Sequence, residues 1–190
     1  MSATRVLGIA GWSGSGKTTL LTRVIPLLVT QGLRVATIKH AHHSFDVDQP
    51  GKDSWAHRSA GASEVLVSSA RRWVHMHELG TEPEATLAQL LARVSPCDLV
   101  LVEGFKRQRH PKLEVFRKAL GVSPLYPADD RILAIASDQA FPEAGIPVLD
   151  LNDVTAIAAL VSARAEPMAR VLAQLSDGER GAGPSALDRG

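Results

Sequence analysis

One cysteine, Cys97, stands in 190 residues, which excludes an internal disulfide and a cysteine-rich zinc site within one chain. A surplus of one charge sign is also missing: 21 Lys and Arg against 20 Asp and Glu leave a formal +1. No global field draws such a chain onto nucleic acid or an anionic membrane, so neither is expected as a partner. No segment approaches the ~20 apolar residues of a membrane span. The apolar stretch Val6-Leu7-Gly8-Ile9-Ala10 is too short for a signal-peptide core and leads into a glycine-rich turn rather than a cleavage site. A cytoplasmic location is the expectation. Internal repeats are absent, and biased composition is confined to Ser176–Gly190, where Gly, Pro, Ser and charge read as a mobile tail. What is present is ordinary: 45% apolar and 22% charged residues, in a length that buries a real core.

The periodicity of that apolar content alternates between strand and helix. Val6 to Ala10 is a short continuous apolar run, as a parallel strand buried on both faces requires. Lys17 to Thr30 carries Leu20, Leu21, Val24, Leu27 and Leu28 at helical spacing, with Gly32 as its stop. Arg34 to Lys39 reads as a second strand, completing a β-α-β unit. His40 to Lys52 is a polar loop, and Asp53 to Ala60 a short helix stopped by Gly61. Glu64 to Ser68 and Trp73 to His77 read as the arms of a hairpin, and Pro83 to Val94 as a helix. Strands follow at Leu99 to Val102, Leu113 to Arg117, Ile132 to Ala136 and Val148-Leu149. Asn152-Asp153 caps a helix through Ala163, and Met168 to Leu175 continues as helix. The expected fold is α/β of the P-loop NTPase type: a mostly parallel sheet flanked by helices, with an antiparallel edge hairpin. Residues 1–165 form the expected domain, and 166–190 an extension that is helical and then disordered.

At the first strand-to-helix turn, Gly11-Trp12-Ser13-Gly14-Ser15-Gly16-Lys17-Thr18 satisfies G-x-x-x-x-G-K-[ST]. Gly11 lets the chain leave the strand, while Gly14 and Gly16 let backbone N–H groups turn inward unobstructed. With the positive end of the following helix, those groups form a site for phosphate oxygens. Lys17 adds a point charge, and the Thr18 hydroxyl, next to Thr19, suits Mg²⁺.

A P-loop site needs a carboxylate at a neighbouring strand tip. Leu99-Val100-Leu101-Val102-Glu103-Gly104 supplies Glu103, with two roles open to it, magnesium coordination or orientation of the attacking water. Gly104 is expected to let the backbone pass close to the phosphates. Asp46 and Asp48, in the loop after the second strand, alternate and so project alike if extended; either has the reach for magnesium or a water. His40, His42 and His43 are read as solvated loop histidines, because adjacent rings do not easily face one ion. Ser137-Asp138 closes the strand from Ile132, and a carboxylate there can accept both N1–H and N2–H of guanine. The Asn-Lys-x-Asp string of many GTPases is missing.

Together these segments resemble the molybdopterin-guanine dinucleotide biosynthesis protein B (MobB) family. The resemblance is carried by Gly11–Thr18, by Thr37-Ile38-Lys39-His40, by Asp46-Val47-Asp48-Gln49-Pro50-Gly51-Lys52-Asp53-Ser54, and by Arg58-Ser59-Ala60-Gly61-Ala62. Leu99 through Phe105-Lys106 and Ala136-Ser137-Asp138 complete it, and it spans about residues 4 to 163. The resemblance implies a GTP- and Mg²⁺-binding protein of the SIMIBI P-loop class. It further implies a homodimer that assists the MobA guanylyltransferase in attaching GMP to molybdopterin. Hydrolysis is then expected to be slow, with no arginine finger evident in cis. A P-loop small-molecule kinase is the competing reading, and Arg107 and Arg109 are its candidate lid residues.

Overall fold

The computed structural model describes residues 3–41 and 45–181, the side chains of 178–181 lying outside that description. His42 and His43 therefore fall outside the described residues, as does the expected tail beyond 181. Two compact units are present: Met1–His40 with Leu87–Gly190, and Ala41–Thr86. The single domain expected over 1–165 is thus interrupted by the second unit.

In the larger unit the strands are β1 (Arg5–Ala10), β2 (Val35–Lys39), β5 (Leu99–Glu103), β6 (Lys112–Phe116), β7 (Ile132–Ser137), β8 (Val148–Asp150) and β9 (Glu166–Pro167). Its helices are α1 (Lys17–Thr30), α3 (Leu87–Arg93), α4 (Val154–Arg164) and α5 (Met168–Gly181). Among the described residues the sheet order is β2-β5-β1-β6-β7-β8, every neighbouring pair on this path being parallel. The order reverses at β1, whose partners are β5 on one flank and β6 on the other, so the crevice beyond its carboxyl end is where such sheets take ligands. β6 pairs only with Gly8–Ala10 of β1, and β9 fills the earlier part of the strand antiparallel, Arg5 facing Pro167.

Side chains alternate across the sheet and so build two cores. Leu7, Ile9, Leu99, Leu101, Leu113 and Val115 pack against Leu20, Val24 and Leu28 of α1 and Ile157 and Val161 of α4. Val6, Val100, Val102 and Ile38 face the other way, onto Leu87 and Leu91 of α3 and Val171 and Leu175 of α5. The extension expected to begin at 166 is therefore part of the core: Val171 is 0% and Leu175 2% exposed. The helix also runs past the expected start of the tail at Ser176, to Gly181. α3 begins at Leu87 rather than Pro83, at the first apolar position that reaches this core.

The second unit holds α2 (Asp53–Ser59) and the antiparallel pair β3 (Glu64–Ser68) and β4 (Trp73–His77). The hairpin has the expected bounds, but it is a two-stranded sheet of its own rather than an edge of the parallel one. No helix among the described residues is long and apolar enough to cross a membrane.

Candidate functional site

β1 ends in a turn that only glycine allows. Gly11 has φ 139°, and a Cβ on it would collide with the Val115 carbonyl and lie 2.7 Å from Ser15 Oγ. Gly14 and Gly16 follow at φ 78° and 95°, both left-handed. Lys17, the first residue of α1, folds back over the loop, its ammonium donating to the carbonyls of Gly11 at 2.8 Å and Trp12 at 2.9 Å. Burial lowers its pKa, with Glu103 opposing and Lys106 and Lys39 adding to the fall. Ser15 Oγ is buried with no hydrogen-bond partner. A closed loop, an inward cation and an orphaned hydroxyl form a cradle suited to an anion.

Glu103 ends β5, level with Ile9 of β1 on one side and Lys39 of β2 on the other. It is 9% exposed, and its Oε1 accepts the Thr18 hydroxyl at 2.7 Å. A hydroxyl beside a carboxylate is a set of hard oxygen donors, which fits Mg²⁺. The Lys39 ammonium sits 3.5 Å from Glu103 Oε1 and 3.5 Å from Thr18 Oγ1, a neighbour that sequence reasoning gave no role. Thr19 is exposed in the first turn of α1, and Ser13 is exposed at the tip of the loop.

At Gly104 the backbone is left-handed, with φ 94°. Its missing Cβ makes room for the end of β2, since a Cβ would lie 2.9 Å from His40 Cβ. The next residue, Phe105, is also left-handed at φ 49°, and its ring stands 4.7 Å from that of His40. The tight passage is thus between two strand ends. Trp12 is fixed from both sides: its indole N–H donates to the Ser123 carbonyl at 2.9 Å, and the Lys106 ammonium lies 4.5 Å over its ring.

Ser137 closes β7, its hydroxyl accepting Gln139 N–H at 3.0 Å. Asp138 follows, with Oδ1 accepting Lys118 N–H at 2.8 Å. Both border an open groove of about 580 Å³ with Phe141, Val148, Leu149 and Asn152. Arg117, missed as a site residue, links this end to the loop: its Nε donates to the Ser15 carbonyl at 3.1 Å. Its position directly after a parallel strand was the available signal. Of the two candidate lid arginines, Arg109 pairs with Asp130 at 3.2 Å.

Asp46 and Asp48 belong to the second unit, where Asp46 Oδ1 accepts the Asp48 N–H at 2.8 Å. Arg58 Nη1 lies 2.8 Å from Asp46 Oδ1 and 3.3 Å from Asp48 Oδ2. Asp48 Oδ1 also accepts the Ser54 hydroxyl at 2.8 Å. Arg58 depresses the Asp46 carboxyl below its ordinary range.

The family model described as "Molybdopterin guanine dinucleotide synthesis protein B" matches residues 6–138. The molybdopterin-guanine dinucleotide biosynthesis adapter protein of Escherichia coli is 45% identical over 159 residues, covering 82% of this chain and 90% of its own. The adapter protein of the same name from Haemophilus influenzae is 43% identical over 154 residues, covering 80% and 85%. A crystal structure of molybdopterin-guanine biosynthesis protein B superposes with a TM-score of 0.67 at 31% identity, covering 83% of this chain and 98% of that one. With the phosphate loop, the Thr18–Glu103 pair and these relatives in agreement, the chain belongs to the MobB family.

Proposed function

We propose that the protein is a GTP-binding adapter in the synthesis of molybdopterin guanine dinucleotide, serving the guanylyltransferase MobA rather than acting as a stand-alone catalyst. The observation that carries the reading is the Thr18–Glu103 hydrogen bond of 2.7 Å at the mouth of the Gly11–Lys17 cradle, in a chain whose relatives are named as adapters of that pathway. Gly11, Trp12, Ser13, Gly14, Ser15 and Gly16 give the phosphates backbone N–H groups, that of Ser15 on leaving the Trp12 carbonyl to which it donates at 3.2 Å. Lys17 exchanges its two carbonyl partners for phosphate oxygens, and Thr19 stands beside them at the helix start. Thr18 and Glu103 hold Mg²⁺, which supplies charge neutralisation of the phosphates when bound. Ser137 and Asp138 read the base from the strand end at the groove. Slow intrinsic turnover is expected, on the order of the unassisted GTPase rate, about 10⁻³ s⁻¹ or below.

Titration calorimetry of GTP against ATP, with and without Mg²⁺, tests the reading. GTP is expected to bind more tightly, with the preference retained in Mg²⁺ and binding lost in Lys17→Ala. A preference for ATP removes the role of Asp138, and fast turnover by the protein alone removes the adapter role. Diphosphate formation that depends on an added metabolite would instead establish a small-molecule kinase. A homodimer in the cytoplasm is part of the proposal, and light scattering at micromolar concentration checks the dimer.

A further inference from the structure

Arg117 is the first residue beyond β6, and Asp138 the first beyond β7. Those strands run parallel with Phe116 opposite Ser137, so the register puts both side chains at adjacent strand ends. Arg117 Nε donates to the Ser15 carbonyl at 3.1 Å. Its guanidinium also lies against Gly16, where a Cβ would stand 3.2 Å from Nε and 3.5 Å from Nη2. Nη1 reaches to 4.0 Å from Asp138 Oδ2. The other oxygen, Oδ1, accepts the Lys118 N–H at 2.8 Å. One side chain therefore spans from the phosphate loop to the carboxylate at the groove.

We propose that Arg117 is a positioning residue for nucleotide specificity: it anchors the loop through Nε and aims the Asp138 carboxylate through Nη1, so that base choice and phosphate binding are coupled. This rests on the reading of Gly11–Thr18 as the phosphate site and Asp138 as the base acceptor. Guanine offers two adjacent N–H donors, and a carboxylate receives both only when both oxygens are held in the plane of the base. The backbone of Lys118 holds one oxygen at hydrogen-bond distance, and Arg117 Nη1, 4.0 Å from the other, sets a positive charge on that side. Adenine presents a ring acceptor in place of one donor, so an aimed carboxylate gives it nothing. The role needs a guanidinium, whose planar fork serves two acceptors at once; an ammonium follows one. A plain brace for the loop would instead support every nucleotide equally, because each carries the same phosphates.

Dissociation constants of GTP and ATP, measured by calorimetry in Mg²⁺ on the full chain, separate the two roles. The variants are Arg117→Gln, Arg117→Lys, Asp138→Asn and the double Arg117→Gln/Asp138→Asn, each with its thermal unfolding curve. Arg117→Gln is expected to lower the GTP/ATP preference about fivefold, the upper range for a partly exposed ion pair. Arg117→Lys is expected to restore little of it, and in the Asp138→Asn background Arg117→Gln should leave the ratio where it was. Equal loss of both nucleotides, or an unchanged ratio, overturns the proposal. If Arg117→Gln does not fold, Arg117→Lys decides, and a wild-type ratio there overturns it. A wild-type protein without GTP preference overturns the base-acceptor reading and this proposal together, whereas a preference indifferent to Arg117 overturns this proposal alone.

Discussion

Two glycines of the phosphate loop illustrate how differently one residue type is required. At Gly11 an added Cβ meets the Val115 carbonyl, which belongs to β6 and does not yield, and the backbone is left-handed as well. At Gly14 the nearest atom is Leu120 Cδ2 at 3.5 Å, an ordinary contact, so only the φ of 78° resists a side chain. Gly14→Ala is expected to cost about 1–2 kcal/mol, whereas Gly11→Ala adds a backbone clash and should cost about 3 kcal/mol or more. Urea unfolding of the two variants checks the order. Glu103 carries a prediction at the same scale. Glu103→Gln keeps a hydrogen-bond acceptor for Thr18 but removes the charge, so Mg²⁺ should no longer tighten GTP binding, as calorimetry with and without the ion would read. A variant that retains the full Mg²⁺ effect assigns the metal to other residues.

Single elements carry their own chemistry. α4 opens at Asp153, whose carboxylate accepts Ala156 N–H at 2.9 Å, as an N-cap should. Asp153→Ala is expected to cost about 1 kcal/mol of unfolding free energy. In the β3–β4 hairpin, His77 lies between two carboxylates, Nδ1 2.9 Å from Glu64 and Nε2 3.1 Å from Glu82. Glu64 first and Glu82 second raise its pKa above 6.5, against some loss of hydration. The folded hairpin thus holds a proton that the unfolded chain releases near 6.5. Its contribution to stability is complete below that pH and disappears as pH rises through the folded value. His110 has the opposite sign: burial, then Lys112, push it down to about 3, and it packs against Gly8, where a Cβ would collide with its ring. There the unfolded chain binds the extra proton, so stability rises with pH between about 3 and 6.5. Hydrogen exchange of the hairpin amides against pH should show protection falling as pH rises above 6.5 in the wild type but not in His77→Gln.

Over the whole molecule, the second core joins distant parts of the chain. Met168 N–H donates to the Thr4 carbonyl at 2.8 Å, and α5 shares the apolar face of Val6, Val100 and Val102 with α3. Leu175→Ala is therefore expected to cost about 2–4 kcal/mol, as a buried core leucine does, where a mobile extension would give no change. Chemical denaturation measures it. The interruption of the larger unit by 41–86 has the same long-range character, since β2 and β5 pair in register although the second unit lies between them in sequence.

The residues alone determined the phosphate loop, the bounds of α1 and of the hairpin, and the parallel sheet, because each depends on local spacing: glycines at fixed offsets, apolar positions at helical or strand period. Glu103 was legible for the same reason, at the end of an apolar strand. Only the tertiary structure decided what meets across the sheet. Lys112 and Glu114 are 1% and 0% exposed in β6, polar residues that no hydropathy pattern assigns to an interior. Their partners, Asp129 for the amine and the N–H groups of Leu125 and Tyr126 for the carboxylate, come from another part of the chain. Arg117 against Ser15, Lys39 beside Glu103 and α5 beneath β1 are likewise products of strand order and register, which bring together side chains whose separation along the chain carries no periodic trace.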